Sequence, residues 1–259
     1  MNPTAAPLAP QWPTVRRISA DDAYAALAAG WADFRAAPRY GLFFGGVYAV
    51  VGIAIFLQLW VLHQSLWIVP FAFAFPLVGP FAAIGLYEVS RRREAGEPLD
   101  ARAILGVVWQ ARTRQIPMMA FVVLAGFLIW MWAAGMLTLL FLGHSTAGPA
   151  DLDSLLASGG GHALLVVGGL VGAAIAATLF ALTVVSLPLL LDRDLDVVTA
   201  MATSVQAVMT NPQAMLHWAW IVVGVLAVAM VPLFLGVVVG LPVLGHATWH
   251  LYRRVIAPA

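Results

Sequence analysis

The sequence contains no cysteine and no lysine, and it has few charged residues of any kind. The absence of cysteine from 259 residues excludes disulfides, thiolate metal ligands and thiol nucleophiles. Only 10% of the residues are charged and 62% are hydrophobic, whereas about a quarter of a typical soluble domain is charged. The formal net charge of +1 gives no reason to expect a nucleic-acid partner. Together with a mean hydropathy of +0.92, this composition predicts an integral membrane protein in a lipid bilayer.

Recognisable catalytic chemistry is also missing. The sequence contains no phosphate-binding loop, HExxH motif, GxSxG motif or pair of suitably spaced carboxylates, so we predict a protein that is not an enzyme and has no cofactor. Charged residues are absent from the middle of every apolar run, which argues against an ion-coupled transporter. The deepest acid, Glu88, precedes Arg91 and Arg92 by three and four residues, a spacing that predicts ion pairs on one helix.

The apolar runs predict six transmembrane helices. A bilayer core of about 30 Å requires roughly 20 apolar residues in a helix. Four runs meet this length, at about 40–62, 66–88, 116–142 and 161–191. A fifth run, 213–252, is long enough for two spans joined by a turn near Pro232–Gly236.

The arginines predict the orientation. With six spans, all 13 basic residues fall on one side of the membrane, and the positive-inside rule makes that side the cytoplasm. The opposite side then holds few titratable groups: Asp151, Asp153, His63, His144 and His162. We therefore predict a bacterial inner-membrane protein with both termini in the cytoplasm.

A threefold repeat organises these spans. Pro38, Pro117 and Pro212 each stand at the entrance to an odd-numbered span, and each follows an amphipathic stretch that begins with acidic residues. The first stretch has an apolar stripe of Tyr24, Leu27, Trp31 and Phe34, and the third has an equally spaced stripe of Val198, Met201, Val205 and Val208. Such stretches are typical of helices that lie in the membrane interface.

The predicted fold is therefore an all-α polytopic membrane helix bundle. It consists of three repeats, at about 19–93, 98–192 and 194–254, each with an interfacial amphipathic helix and a transmembrane hairpin. Residues 16–259 form a single membrane domain, preceded by a mobile, proline-rich tail at 1–15. Pro76, Pro188 and Pro242 are predicted to interrupt the even-numbered spans.

Three histidines are the candidate metal ligands. His217 follows Pro212 closely, and His246 and His250 precede the terminal arginine pair, so all three are expected at similar depth near the cytoplasmic face. Neutral imidazoles bind zinc, copper or haem iron. No carboxylate is expected at that depth to support such a site. The alternative is that the histidines form hydrogen bonds with the backbone or with lipid.

Several segments resemble a known family. The stretches "FPLVGPFAAIGLYEVSRRREAGEPL", "LDRDLDVVTAMATSVQAVMTNP" and "LPVLGHATWHLYRR" are similar to bacterial predicted integral membrane proteins of unknown function, from about Val15 to the C-terminus. Some members are labelled cytochrome c oxidase subunit I, which implies haem-copper chemistry. That chemistry needs haem-ligating histidines in the middle of the membrane, whereas the histidines here lie near the ends of spans. The resemblance implies no catalytic residues.

The leading functional hypothesis is a non-enzymatic inner-membrane protein. It would be an accessory or scaffolding subunit associated with lipid or with a membrane complex, respiratory or photosynthetic. One alternative is a carrier or channel for a small neutral or hydrophobic solute, suggested by the repeats and prolines. The other is haem or metal binding by the histidine cluster.

Overall fold

The computed structural model describes residues 12–60, 68–143 and 156–258, and these residues are almost entirely helical. The helices are α1 (Ala20–Ala36), α2 (Pro38–Trp60), α3 (Ile68–Glu94), α4 (Ala101–Ala111), α5 (Ile116–Leu142), α6 (Gly159–Thr183), α7 (Ser186–Asp192), α8 (Val197–Thr210), α9 (Pro212–Met230) and α10 (Val237–Val255). Within the described ranges the only extended pairing is an isolated bridge between Val15 and Ile256. The predicted all-α class is confirmed.

The three amphipathic stretches form helices α1, α4 and α8, and each begins at a side chain that caps it. Ser19 and Asp22 form a capping box at α1, in which each side chain accepts a hydrogen bond from the other residue's backbone N–H. Asp100 caps α4 and Asp196 caps α8 by accepting hydrogen bonds from N–H groups of the first turn. The acids in front of these helices therefore satisfy donors that the helix itself leaves unpaired.

The prolines at the span entrances have an equally local explanation. Pro38 and Pro212 open α2 and α9, and Pro117 lies in the first turn of α5. A proline fits there because the first-turn N–H groups have no partner within the helix, and because its fixed φ is already helical. Each of the three prolines thus starts a helix directly after one of the capped helices α1, α4 and α8.

Three helical stretches are long and apolar enough to cross a membrane: Ile116–Leu142, Gly159–Asp192 and Pro212–Met230. A fourth span is obtained if α1 and the first part of α2, which meet at an angle of 102°, count as one bent element. Helices α2, α3 and α10 occupy the other ranges predicted as spans. The described residues therefore contain three or four candidate spans, and the six-span architecture stays a prediction.

The apolar run from Gln213 to Tyr252 divides where a turn was predicted. Helix α9 ends at Met230, α10 begins at Val237, and Leu233 and Phe234 between them have positive φ values of 51° and 65°. A Cβ atom at Gly236 would lie 2.6 Å from the Ala229 carbonyl oxygen, so this turn requires glycine at its end.

The predicted interruptions at three prolines are confirmed at only one of them. The second hairpin breaks at Val184–Val185 because Pro188 has no N–H to donate to the Val184 carbonyl. Helices α3 and α10, in contrast, continue through Pro76 and Pro242, so the prediction was wrong there. Pro242 is buried against α2. Its ring would lie 3.2 Å from a Cβ atom added at Gly41 and 2.8 Å from one added at Gly45, so the two glycines leave room for the ring. A proline is tolerated within a packed membrane helix in this way.

The core lies where α1 crosses α10 beside α2 and α3. Small residues of α1 face α10: Ala23, Ala26 and Gly30 are buried, and a Cβ at Gly30 would lie 2.5 Å from the Ala247 nitrogen. Two members of the predicted stripe point away, since Tyr24 is 54% exposed and Trp31 is 44% exposed, whereas Phe34 is buried. This arrangement is the one expected for a helix whose outer face meets the membrane interface.

The extended segment before α1 forms backbone hydrogen bonds with the residues at the end of α10 and just after it. The Arg16 N–H donates to the Val255 carbonyl at 2.7 Å, and the Ala257 N–H donates to the Thr14 carbonyl at 3.0 Å. Asn211, between α8 and α9, also accepts a hydrogen bond from the Ile18 N–H at 2.7 Å. Residues 1–11 of the predicted mobile tail lie outside the described residues.

Candidate functional site

Five polar side chains from three helices form a cluster at the arginine-rich end of the molecule. The polar cluster consists of Asp33 from α1, Ser90 and Arg93 from α3, and His246 and His250 from α10. They meet because glycine at position 30 allows α1 to approach the backbone of α10 closely. The cluster includes two of the three histidines identified in the sequence.

Asp33 is the centre of the polar cluster. Its two carboxylate oxygens accept hydrogen bonds from His250 Nε2 at 2.7 Å and from Arg93 Nε at 2.8 Å, and its side chain is 8% exposed. Burial by itself would raise the pKa of Asp33. Hydrogen bonds from His250, Ser90 and Arg93 outweigh that effect and lower the pKa from 3.8 to about 2. Asp33 is therefore a buried carboxylate that stays ionised.

Ser90 and His246 form the most deeply buried part of the cluster. Ser90 Oγ lies 2.8 Å from His246 Nδ1, and both residues are 0% exposed. A hydroxyl beside an imidazole is the geometry of a nucleophile and its base. Here, however, the two groups are enclosed between α3 and α10, where no substrate has access. The pair therefore fixes the contact between these helices, and His246 Nε2 has no hydrogen-bond partner among the residues whose side chains the structure describes.

Ion pairs surround the polar cluster. Glu88, which is 0% exposed, accepts hydrogen bonds from Arg91 at 2.7 Å and from Arg92 at 2.6 Å, so the predicted pairing is confirmed. Glu94 accepts a hydrogen bond from Trp249 Nε1 at 2.9 Å. The buried Glu88 needs such compensation because desolvation penalises its charge, whereas Glu94 is exposed. These bonds join the charged side chains of the arginine-rich end into one network.

The network also connects α7 to α10. The Tyr252 hydroxyl donates to Asp192 at 2.6 Å, and Arg253 lies 3.0 Å from Glu94 and 3.8 Å from Asp192. Tyr252 is 1% exposed, so its hydroxyl depends on this partner. At this end of the molecule, charged side chains from α1, α3, α7 and α10 therefore pair with one another.

The structure places the three candidate metal ligands in different environments. His246 and His250 belong to the polar cluster, with Ser90 and Asp33 as partners. His217 is exposed on α9 and bonds the Gln213 carbonyl of its own helix through Nδ1 at 2.8 Å. No group of three or more His, Asp or Glu side chains in the described part of the chain is arranged to hold a metal ion. The three-histidine metal site stays a prediction.

The other three histidines, His63, His144 and His162, were predicted on the side of the membrane opposite the arginines. His162 is exposed at the start of α6, and its Nδ1 lies 2.9 Å from the Ser158 carbonyl oxygen. His63 and His144 lie outside the described residues.

Asp33 is the functional-site residue that the sequence analysis missed. The expectation that no carboxylate lies at the depth of the histidines was wrong, because α1 crosses α10 and brings Asp33 to His250. A signal was present in the sequence. Asp33 follows Gly30 by three residues and Ala26 by seven, so it shares the small-residue face of α1.

The fold and the comparisons define the class of protein. Helices such as α5 and α9 are long and apolar enough to span a bilayer, which makes this an all-helical integral membrane protein. Residues 68–192, just under half of the chain, match the model of a family described as predicted integral membrane protein (DUF2189). This match, which extends from α3 to α7, confirms the resemblance seen in the sequence for that segment. No curated protein and no protein of solved structure matches the chain.

Proposed function

We propose that this protein is a non-enzymatic accessory or scaffolding subunit of the bacterial inner membrane, which binds a larger membrane complex through the hairpin of α5 and α6. The observation that carries the proposal is the low burial of this hairpin. In the most apolar stretch of α5, only 11% of the residues are buried. In the most apolar stretch of Gly159–Asp192, 0% are buried. The hairpin thus presents most of its surface to lipid or to a partner.

The composition of that surface favours a partner protein. Trp130, Met131, Trp132 and Met136 of α5 are between 42% and 69% exposed. Tryptophan usually anchors membrane helices at the headgroup level, whereas these two lie near the middle of their helix. Tryptophan and methionine are also enriched in protein interfaces. We infer that the side of α5 that carries Trp132 and Met136, four residues apart, packs against transmembrane helices of the complex, whereas the Trp130 ring lies next to Gly172 of α6.

The proposed topology is six spans in three repeats, with both termini in the cytoplasm. It is supported by the recurrence of one local pattern, in which a capped helix (α1, α4 or α8) leads into a helix with proline in its first turn (α2, α5 or α9). It is also supported by two Leu-Tyr pairs, Leu86–Tyr87 in α3 and Leu251–Tyr252 in α10, all of which are buried. These pairs would close the first and third repeats at equivalent places.

The absence of cysteine makes the topology directly testable, because each introduced cysteine is the only thiol in the chain. We expect a membrane-impermeant maleimide to label His162→Cys in intact spheroplasts. Thr113→Cys and Ala257→Cys should be labelled only after lysis, because both are placed at the cytoplasmic end. Labelling of Thr113→Cys in intact spheroplasts would refute this orientation.

Co-purification tests the function itself. The protein would be extracted in a mild detergent, and the proteins isolated with it would be identified for the wild type, Trp132→Ala and Trp220→Ala. Trp220 is a matched control, because it is also an exposed tryptophan, at 67%, but lies on α9. We expect the wild type and Trp220→Ala to retain the same membrane protein, and Trp132→Ala to lose it. A wild-type protein that is always a solitary monomer would contradict the proposal.

A further inference from the structure

An open groove runs between α5 and α6 on the membrane-facing side of the hairpin. It has a volume of about 440 Å³, within the range of about 300–1,000 Å³ typical of ligand pockets. Its lining includes Phe121, Ala125, Ile129, Ala174, Thr178 and Leu182. The Thr178 hydroxyl donates to the Ala174 carbonyl of its own helix at 2.9 Å. Its hydrogen bond is therefore made within the helix, and a ligand in the groove does not need to supply a polar group to it. A hydrocarbon chain is the occupant that fits such a lining.

Two weakly neutralised cations lie where α4 turns into α5. The guanidinium of Arg112 lies over the Trp109 ring, 3.6 Å from its centroid, and makes no hydrogen bond or ion pair with any described residue. Arg114 has one long contact, 3.7 Å to Asp194, whose side chain is fully exposed. We call these three residues, Trp109, Arg112 and Arg114, the α4–α5 corner. Its charge is available for an anion.

The corner directly precedes the helix that carries the groove. Arg112 and Arg114 lie in the turn before α5, and Met118, Phe121 and Ala125 then follow at spacings of three and four residues, which is the spacing of a single helix face. Met118 and Phe121 are exposed, at 53% and 62%. At a rise of 1.5 Å per residue, the first groove residue, Phe121, lies about 8 Å along α5 from Ile116, where the helix begins. A cationic mouth therefore adjoins an apolar groove, the arrangement that suits an amphiphile with an anionic head.

We propose that the α4–α5 corner and the α5–α6 groove bind one anionic phospholipid. Arg112 and Arg114 bind the phosphate through their N–H groups, and one acyl chain lies in the groove. Trp109 holds Arg112 by its ring face and leaves the N–H edge of the guanidinium free for the phosphate. Basic pockets beside transmembrane helices bind anionic headgroups in this manner. The inference rests on the proposed function only in placing α4 at the level of the headgroups.

The lipid is expected to be anionic because the corner has two cations, and among the described residues the single acid paired with them is the distant Asp194. A zwitterionic lipid would bring its own cation to a site that already has two. A transmembrane helix of a partner would fill the groove but would not need the arginines. Charge dependence thus separates lipid from protein as the occupant of this site.

Native mass spectrometry of the full-length protein tests the proposal. The protein would be purified and titrated with phosphatidylglycerol or phosphatidylcholine in mixed micelles, for the wild type, Arg112→Gln/Arg114→Gln and Arg35→Gln. Arg35 is the matched control, an exposed arginine of α1 without a side-chain partner among the described residues. Since each arginine near a headgroup is worth roughly fivefold in affinity, the double variant should bind phosphatidylglycerol about 25-fold more weakly. Arg35→Gln should bind it as the wild type does.

Two results would overturn the proposal: equal retention of phosphatidylglycerol and phosphatidylcholine by the wild type, or unchanged binding by the double variant. An Ala125→Trp variant, which fills the groove, should lower lipid retention while the arginines remain. The lipid result is independent of co-purification, so the two proposals fail separately. A chain that binds the anionic lipid but no partner would refute only the accessory role, and one that binds a partner without lipid preference would refute only the lipid site.

Discussion

Replacing Gly30 by alanine tests the close crossing of α1 and α10 on which the polar cluster depends. A Cβ at position 30 would lie 2.5 Å from the Ala247 nitrogen and 2.6 Å from the Val243 carbonyl oxygen. Both are backbone atoms of α10, so neither can rotate away as a flexible side chain would. The added methyl group must push the two helices apart.

The expected magnitude follows from two opposing effects. Overpacking of a close contact costs about 1–3 kcal/mol, and backbone neighbours place this site at the upper end of that range. Alanine in place of glycine in a helix regains about 1 kcal/mol. The net loss is therefore about 2 kcal/mol, which corresponds to a fall in Tm of roughly 4–8 °C for a chain of this size.

Thermal unfolding of the purified protein in detergent measures this effect, with Gly106→Ala as the matched control. Gly106 lies within the amphipathic helix α4, and a Cβ there would meet nothing within 4 Å. We expect Gly30→Ala to lower Tm and Gly106→Ala to leave it unchanged or raise it slightly. An equal or higher Tm for Gly30→Ala would refute the close crossing of α1 and α10.

Three further predictions concern the polar cluster and the helix start that supports it. Asp33→Asn removes the carboxylate that accepts hydrogen bonds from His250 and Arg93, and thermal unfolding should show a loss of about 2 kcal/mol, because the half-buried Arg93 is left without its counter-charge. An unchanged Tm would show that the cluster does not stabilise the fold. The pKa of Asp33 is lowered from 3.8 to about 2, so its ionised form stabilises the fold above about pH 4. The difference in Tm between wild type and Asp33→Asn should therefore shrink as the pH falls from about 4 to 2. A difference that grows over this interval would contradict the direction of the pKa shift. Ser19→Ala breaks the capping box of α1 and should cost about 1 kcal/mol in unfolding experiments, whereas Ser19→Thr, which keeps the hydroxyl, should cost less.

The parts of the fold that follow local rules were predictable from the sequence. Asp100 and Asp196 precede helices because their carboxylates satisfy first-turn N–H groups, and Pro117 lies in a first turn because no N–H is needed there. The turn after Met230 was also predictable, since 40 apolar residues exceed the length of one span. Each of these predictions depends only on residues close together in the chain.

The parts that depend on distant packing were not predictable in the same way. Asp33 reaches His250, although more than 200 residues separate them, because Gly30 lets two helix backbones approach each other. Pro242 does not end α10, because glycines 41 and 45 of α2 leave room for its ring. The histidines were identified as candidate site residues from their spacing, but their partners, Asp33 and Ser90, come from two other helices. The periodicity of a sequence predicts which residues share a helix face, but it does not predict which other helix packs against that face.

The association of α5 with a partner protein is the central claim, and photo-crosslinking in native membranes tests it most directly. A benzophenone side chain would replace Trp132, which is 69% exposed on α5, or Trp218, which is 1% exposed on α9. We expect the probe at position 132 to form an adduct with another membrane protein, and the probe at position 218 to form none. Adducts with lipid alone at position 132 would contradict the proposed role.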